Sequence, residues 1–354
     1  MTAALGVPVR QRQAPAPSFT HLARLTDDTG LLEHARHAVP RRAHGYCTDD
    51  VARGLVVVSR EPDPGPAVLR LAEVYLSFLT HAQDDDGAFH NRLSYDRRWT
   101  DEPALGDWWG RALWGLGTAA ARSSAPWIQQ EALVAFELGA ARRSPAPHAM
   151  AFAGLGAAEV LRRHPGHTGA AALLADAAAA VGWPDSDPGW SWPRPHLAYA
   201  SAALAEVVIL AGEARQDVAL RAAGLRMLSW LRRLQLVDGK LSALPAAGWH
   251  RGQDRQRYDQ QPIEVAALAD ACATAATATG DAAWHEGVRQ SIGWFLGGND
   301  TGSVMWDSAT GGGYDGLTPH GPNLNQGAES TLALLSTLQH ERGAGLSATG
   351  RPEK

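Results

Sequence analysis

His44-Gly45-Tyr46-Cys47-Thr48-Asp49-Asp50-Val51-Ala52-Arg53 puts two adjacent carboxylates where a loop passes into an amphipathic helix. An Asp near a helix start has an ordinary cause, because its carboxylate accepts free backbone N–H groups and suits the positive end of the dipole. Capping needs one carboxylate, so the second is unexplained. The chain repeats the arrangement further on, with loops rich in Gly, Trp and Asn leading to an acid or amide on a first helical turn. These helix starts are expected to meet on one face and form a cleft.

Outward from that stretch the helical patterns come in pairs. The periodicity predicts helices over residues 49–60 and 66–82, 107–121 and 126–142, 148–163 and 167–181, 196–214 and 217–236, and 261–279 and 282–295. A last helix over 326–340 stands alone, and a short helix over 31–38, after the turn Thr26-Asp27-Asp28-Thr29-Gly30, completes a sixth pair. Strand signals are nearly absent: Leu55–Val58 is the one β-branched cluster and falls inside a helical period. Links within pairs are short, as antiparallel neighbours require. Links between pairs are often long and rich in Trp and Gly. First helices are rich in Ala, Gly and Leu, as buried helices are, and second helices carry more Arg and Glu. The pattern predicts an all-α fold, an (α/α)6 toroid of six helical hairpins over residues 18–342. Residues 1–17 and 343–354 are expected to be flexible tails. An open α-solenoid is the alternative architecture, but its repeats would be more uniform.

Composition narrows the function. The 354 residues carry a net charge of −5, so no basic field invites nucleic acid or an anionic membrane. Cys47 and Cys272 are the only cysteines, which excludes a disulfide framework and a Cys-based zinc site. No apolar run is long enough to span a membrane and no signal-peptide block opens the chain, so a cytoplasmic location is expected. Thirteen Trp against six Phe and six Tyr suits sugar stacking, although core Trp is the commoner role.

Individual motifs differ in weight. The loop Asp84–Asn91, continuing to Tyr95-Asp96-Arg97-Arg98-Trp99, begins with a turn signal but then offers His90, Asn91 and Tyr95 to a ligand. In Gly106-Asp107-Trp108-Trp109-Gly110-Arg111, Asp107 either caps its helix and pairs with Arg111 at i+4, or serves beside Trp108 in gripping a hydroxyl. In Tyr258-Asp259-Gln260-Gln261-Pro262-Ile263-Glu264, Pro262 suits the first turn and Glu264 can reach back as in a capping box. Capping does not call for two glutamines as well, and amides beside a carboxylate suit hydroxyls that both donate and accept. The last unit offers Asp315, Asn325, Gln326 and Glu329. Tyr46, Trp192 and Tyr199 complete the expected sugar contacts. Fourteen His without an HExxH-type pattern, and no G-x-S-x-G elbow, leave no expected metal, cofactor or Ser nucleophile.

Together, Leu25–Ala35, Gly45–Arg53, Phe89-His90-Asn91 with Ser94–Arg97, Gly110–Trp114, Gln260–Glu264 and Asn325–Ser330 resemble a bacterial six-hairpin glycosidase-like family. Its members occur alone or fused behind a glycosyltransferase domain, and are often labelled "glycosyltransferase". The resemblance spans about residues 19–339 and implies an (α/α)6 toroid, an oligosaccharide or glycoside substrate, and a glycosyltransferase as partner. The sequence departs from the family pattern at Val51, Leu105-Gly106, Arg194 and Ala200-Ser201. Catalysis is expected from two carboxylates: Asp49, Asp50 or Asp107 paired with Glu264 or Glu329 across the ring. In an inverting enzyme the two lie roughly 6.5–9.5 Å apart. An inactive sugar-binding module and a polysaccharide lyase with a Tyr or His base are the alternatives.

Overall fold

The structure, a computed structural model, describes residues 14–348, with side chains to residue 341. Residues 1–13 and 349–354 of the two expected tails lie outside the described residues. The helices are α1 (Thr20–Leu25), α2 (Thr48–Ser59), α3 (Pro66–Ala82), α4 (Asp107–Arg122), α5 (Pro126–Ala140), α6 (Pro147–Arg163), α7 (Thr168–Val181), α8 (Ala202–Ala214), α9 (Val218–Gln235), α10 (Pro262–Thr279), α11 (Ala283–Phe295) and α12 (Ala328–Ala348).

The even-numbered helices form an inner ring. Each packs on the next, and α12 returns to α2, which closes the circle. Every α2 residue except Asp49 is buried, as a helix surrounded by others must be. The odd-numbered helices α3 to α11 lie outside, each against its own inner partner. Pro begins α3, α5, α6 and α10, where its missing N–H costs no hydrogen bond. The closest inner crossing, α4 on α6, depends on glycine. A Cβ on Gly156 would lie 2.1 Å from the Leu113 carbonyl oxygen, and one on Gly117 would lie 2.3 Å from the Gly156 oxygen.

Three expectations need correction. No helix covers residues 31–38. Ala35–Arg36 pairs instead with Val39–Pro40, and the hairpin is tied down because Ala328 N–H donates to Glu33 O and Gln326 N–H to His37 O. The sixth pair is therefore α12 with α1. Helix α8 starts six residues later than expected. His196–Leu197 pairs with Trp249–His250, and Ala200 takes φ of +47°, which breaks any helix running through it. Helix α12 runs to Ala348, past the expected boundary at 342. The sheets described are five two-stranded pieces in the connecting loops. Among the described residues, no helix is long and apolar enough to cross a membrane.

The inner helices run parallel, so the ring has two unlike mouths. One is lined by helix starts, and the other by the C-terminal ends of the same helices. Between them the axis narrows to a cavity of about 40 Å³ packed by Val56, Trp114, Phe152, Ile263 and Leu332. At the C-terminal mouth the buried Arg60 donates to Asp270 at 2.9 Å and to Ser336 at 3.0 Å, so its charge is paired.

Candidate active site

The mouth formed by the helix starts holds an open cleft of about 800 Å³. Its floor begins with the two acids of α2. Neither of them caps the helix. The Thr48 hydroxyl donates to His90 O, and both carboxylates turn to Arg53 one turn on. Arg53 Nη2 donates to Asp49 Oδ2 at 2.5 Å and to Asp50 Oδ1 at 2.7 Å, and Nη1 donates to Glu329 Oε2 at 2.8 Å. One guanidinium thus gathers three carboxylates from the first and last inner helices. Ahead of α2, Gly45 lets the chain pass close to Leu93, because its φ of +66° suits glycine and a Cβ there would lie 2.2 Å from Leu93 O.

These acids are not equivalent. Asp49 is also paired with Arg111, whose Nε lies 2.9 Å from Asp49 Oδ1, so two cations hold its charge. Asp50 is buried, and loss of hydration pushes its carboxyl up to about 8, against the opposing pull of Arg53. Asp49, Glu329 and Glu33 push in the same direction as burial. Asp50 therefore carries a proton near neutral pH, and Glu329 stands partly open to the cleft.

At the start of the neighbouring helix α4, Asp107 accepts a hydrogen bond from the Tyr199 hydroxyl. Tyr199 reaches it from the Ala200 turn, and its ring stacks on His148 at 5.1 Å. Arg111 does not pair with Asp107 on its own helix. It crosses to Asp49 and lies 3.8 Å from the centre of the Phe152 ring, with Nη2 free of any hydrogen bond.

Asp49, Asp50, Asp107 and Glu329 line the cleft, together with Asn91, Trp108, Tyr199, Gln261 and Asp315. Arg111 lies just beneath them. The other expected contacts are placed elsewhere. Glu264 is buried under the Tyr199 loop, where its Oε1 accepts from Ala200 N–H. Gln260 is fully buried, accepting from Trp294 Nε1 at 2.9 Å and donating to Asp300 Oδ2 at 2.5 Å. Gln326 is buried between Thr310 and Asp307. Tyr46 donates to Asp27 from the core, and Tyr95 stacks outside it. His90 is stacked on Trp99, Trp192 belongs to a core cluster with Trp230, and Asn325 accepts from His37 N–H. For Glu264, Gln260, Gln326, Tyr46 and Asn325 an internal hydrogen-bond partner satisfies a polar group that seemed available to a ligand.

Sequence reading missed Glu33, His34, Cys47, Arg92, Asn323 and Ser330, all of which line the cleft. Glu33, Cys47 and Asp50 present donor atoms within 4.8 Å of one another. Burial keeps the Cys47 thiol protonated, and Arg92 and Arg53 already hold the two acids. A metal there would have to displace both guanidiniums.

No protein-family model matches the sequence, and no curated protein matches it. Solved structures do match its architecture. A sugar epimerase from a ruminal bacterium superposes with a TM-score of 0.68 at 13% identity, covering 92% of this chain and 95% of that one. The chain has the six-hairpin glycosidase-like fold. Other six-hairpin structures agree. Cellobiose 2-epimerase from Bacillus thermoamylovorans gives 0.67 at 12% identity over 90% and 95% of the two chains. An α-1,6-mannanase of glycoside hydrolase family 76 from Salegentibacter, an inactive variant with two consecutive aspartates replaced by alanine and α-1,6-mannotetrose bound, gives 0.59 at 10% over 90% and 94%.

Proposed function

We propose that the protein is a carbohydrate-active enzyme of the glycoside hydrolase type, acting on oligosaccharides through paired carboxylates. The observation that carries this reading is the Arg53 clamp. It sets a protonated Asp50 beside the more open Glu329, and Asp107 lines the same cleft. Hydrolysis of a glycoside needs an acid to protonate the leaving oxygen and a carboxylate to activate water or attack. Asp50 fits the acid, because its raised pKa keeps the proton available near neutral pH. Glu329 and Asp107 are the carboxylates open to the base role. Doubly paired Asp49 positions Arg53 and Arg111. Trp108, with its Nε1 donating to Phe89 O at 2.7 Å, offers a fixed ring for stacking a sugar.

The similarity in length to sugar epimerases favours a second reading, acid–base epimerisation of a sugar. Against it, the cleft lining contains one histidine, His34, and six carboxylates. A panel of manno- and gluco-oligosaccharides, scored for released sugar, for epimer and for binding, separates the two. Asp50→Asn should abolish hydrolysis and retain binding; full hydrolysis by that variant overturns the assignment. Epimer without released sugar would favour the second reading. Binding without either product would mark a sugar-binding module, as a glycosyltransferase partner would use.

A further inference from the structure

Beside the cleft lies a second cavity of about 410 Å³, sharing His34 and Asp315 with it. Its other charged walls come from the hairpin that replaced the expected helix over residues 31–38. Arg36, Arg41, His37 and His44 face it. The protein as a whole is acidic, at −5, yet this wall gathers cations against a single carboxylate. That carboxylate is already engaged, since Asp315 Oδ1 accepts from Gly327 N–H at 2.7 Å and from Ser330 Oγ at 2.6 Å.

Arg36 and Arg41 make no ion pair and no side-chain hydrogen bond among the described residues, whereas the arginines of the cleft are all paired. Two unpaired guanidiniums lining one cavity lend it a positive potential. The hairpin is nevertheless fixed: Arg41 N–H donates to His34 O, and His37, at a φ of +50°, donates its N–H to Asn325 Oδ1 at 3.0 Å. A left-handed conformation at a non-glycine residue costs energy and persists where surrounding contacts enforce it.

We propose that this side cavity is an oxyanion subsite of the cleft, in which Arg36 and Arg41 take a phosphate dianion lying next to the bound sugar. Guanidinium groups bind phosphate through two parallel N–H donors, and the imidazoles add further donors. The phosphate is either an ester on the sugar itself or free inorganic phosphate. The place of the sugar rests on the reading of the cleft given above, but the affinity for phosphate does not.

Calorimetric titration of the wild type and of Arg36→Ala/Arg41→Ala with inorganic phosphate, glucose 6-phosphate and glucose tests this at low ionic strength. Both arginines are exposed, so the double variant should keep its melting temperature. The expected result is binding of a phosphate-bearing probe that weakens by about tenfold or more in the double variant, with glucose binding equal in both proteins. Tighter binding of glucose 6-phosphate than of inorganic phosphate identifies the ester as the ligand, and the reverse identifies free phosphate. If neither phosphate probe binds, or both bind the double variant as well as the wild type, the proposal is overturned. Phosphate binding supports the subsite whether or not glucose binds, while the oligosaccharide panel tests the cleft, so the two readings fail separately.

Discussion

Arg53 of α2 and Glu329 of α12 meet at 2.8 Å, residues 276 positions apart joined across the seam of the ring. The same guanidinium holds Asp49 and Asp50, so the contact that closes the fold also builds the floor of the cleft.

Replacing Arg53 with Met keeps the bulk and removes the charge. Buried Asp50, protonated near neutral pH, then loses its hydrogen-bond partner, and leaving a buried polar group unsatisfied typically costs about 1–3 kcal/mol. Urea denaturation should show a loss of that order. Glu329→Gln should change stability by only about 0–1 kcal/mol, because Glu329 is partly exposed and solvent screens the pair. Hydrolysis should fall by orders of magnitude in both variants; an active Arg53→Met enzyme would contradict the clamp.

Stability should decline as pH rises through neutrality. Asp50 and Glu264 are both pushed up by burial to about 8, well above their values of 3.8 and 4.5 in water. Between those limits the folded state binds protons that the unfolded state has released, so unfolding free energy falls with rising pH. Buried Glu206, pushed up to about 8, adds to the trend. The lowered Asp270 acts the other way only in the acid range, and the lowered His21 and His148 act the other way only up to their ordinary value of 6.5. The urea midpoint should be higher at pH 5.5 than at pH 8, and Glu264→Gln should flatten that slope. Activity should fall above about pH 8 as Asp50 loses its proton.

Tyr199→Phe removes the hydroxyl that donates to Asp107 and little else. A hydrogen bond to a charged group is worth about 1.5–3 kcal/mol, which corresponds to a loss of roughly ten- to a hundredfold in kcat/KM if Asp107 acts in the reaction. Unchanged kinetics would remove Asp107 from the mechanism.

Gly156→Ala places a methyl group 2.1 Å from the Leu113 carbonyl oxygen, where α4 and α6 cross. Overpacking of this kind costs about 1–3 kcal/mol or more. The midpoint of chemical unfolding should fall accordingly, while the same change at exposed Gly166, where a Cβ meets nothing within 4 Å, should be neutral or slightly stabilising.

The ring was legible because burial imposes a pattern: inner helices apolar all round, outer ones half polar, and Pro at several starts. Pro66–Ala82 follows directly from that pattern. The start of α8 was not legible, since the pairing of His196–Leu197 with Trp249–His250 joins segments more than 50 residues apart. The site divides on the same ground. Asp49 and Asp50 are adjacent, and neighbouring side chains diverge on a helix, so their convergence was not legible; Arg53, at i+4 and i+3, draws both to one guanidinium. Gln260 and Gln261 look alike in sequence, yet one turns inward to Trp294 and the other faces the cleft. Glu33 and Arg92 meet because of a two-residue strand pairing, Tyr46–Cys47 with Arg92–Leu93, too short to leave a periodic trace.

The closing seam has a consequence for biosynthesis. Asp50 emerges early from a ribosome and Glu329 about 280 residues later. Until α12 has been made, Arg53 lacks its third carboxylate and α2 lacks a neighbour. Nascent chains that stop short of α12 should therefore expose apolar α2 and α10 surfaces to chaperones, and catalytic competence should arise in a single late step rather than accumulate hairpin by hairpin.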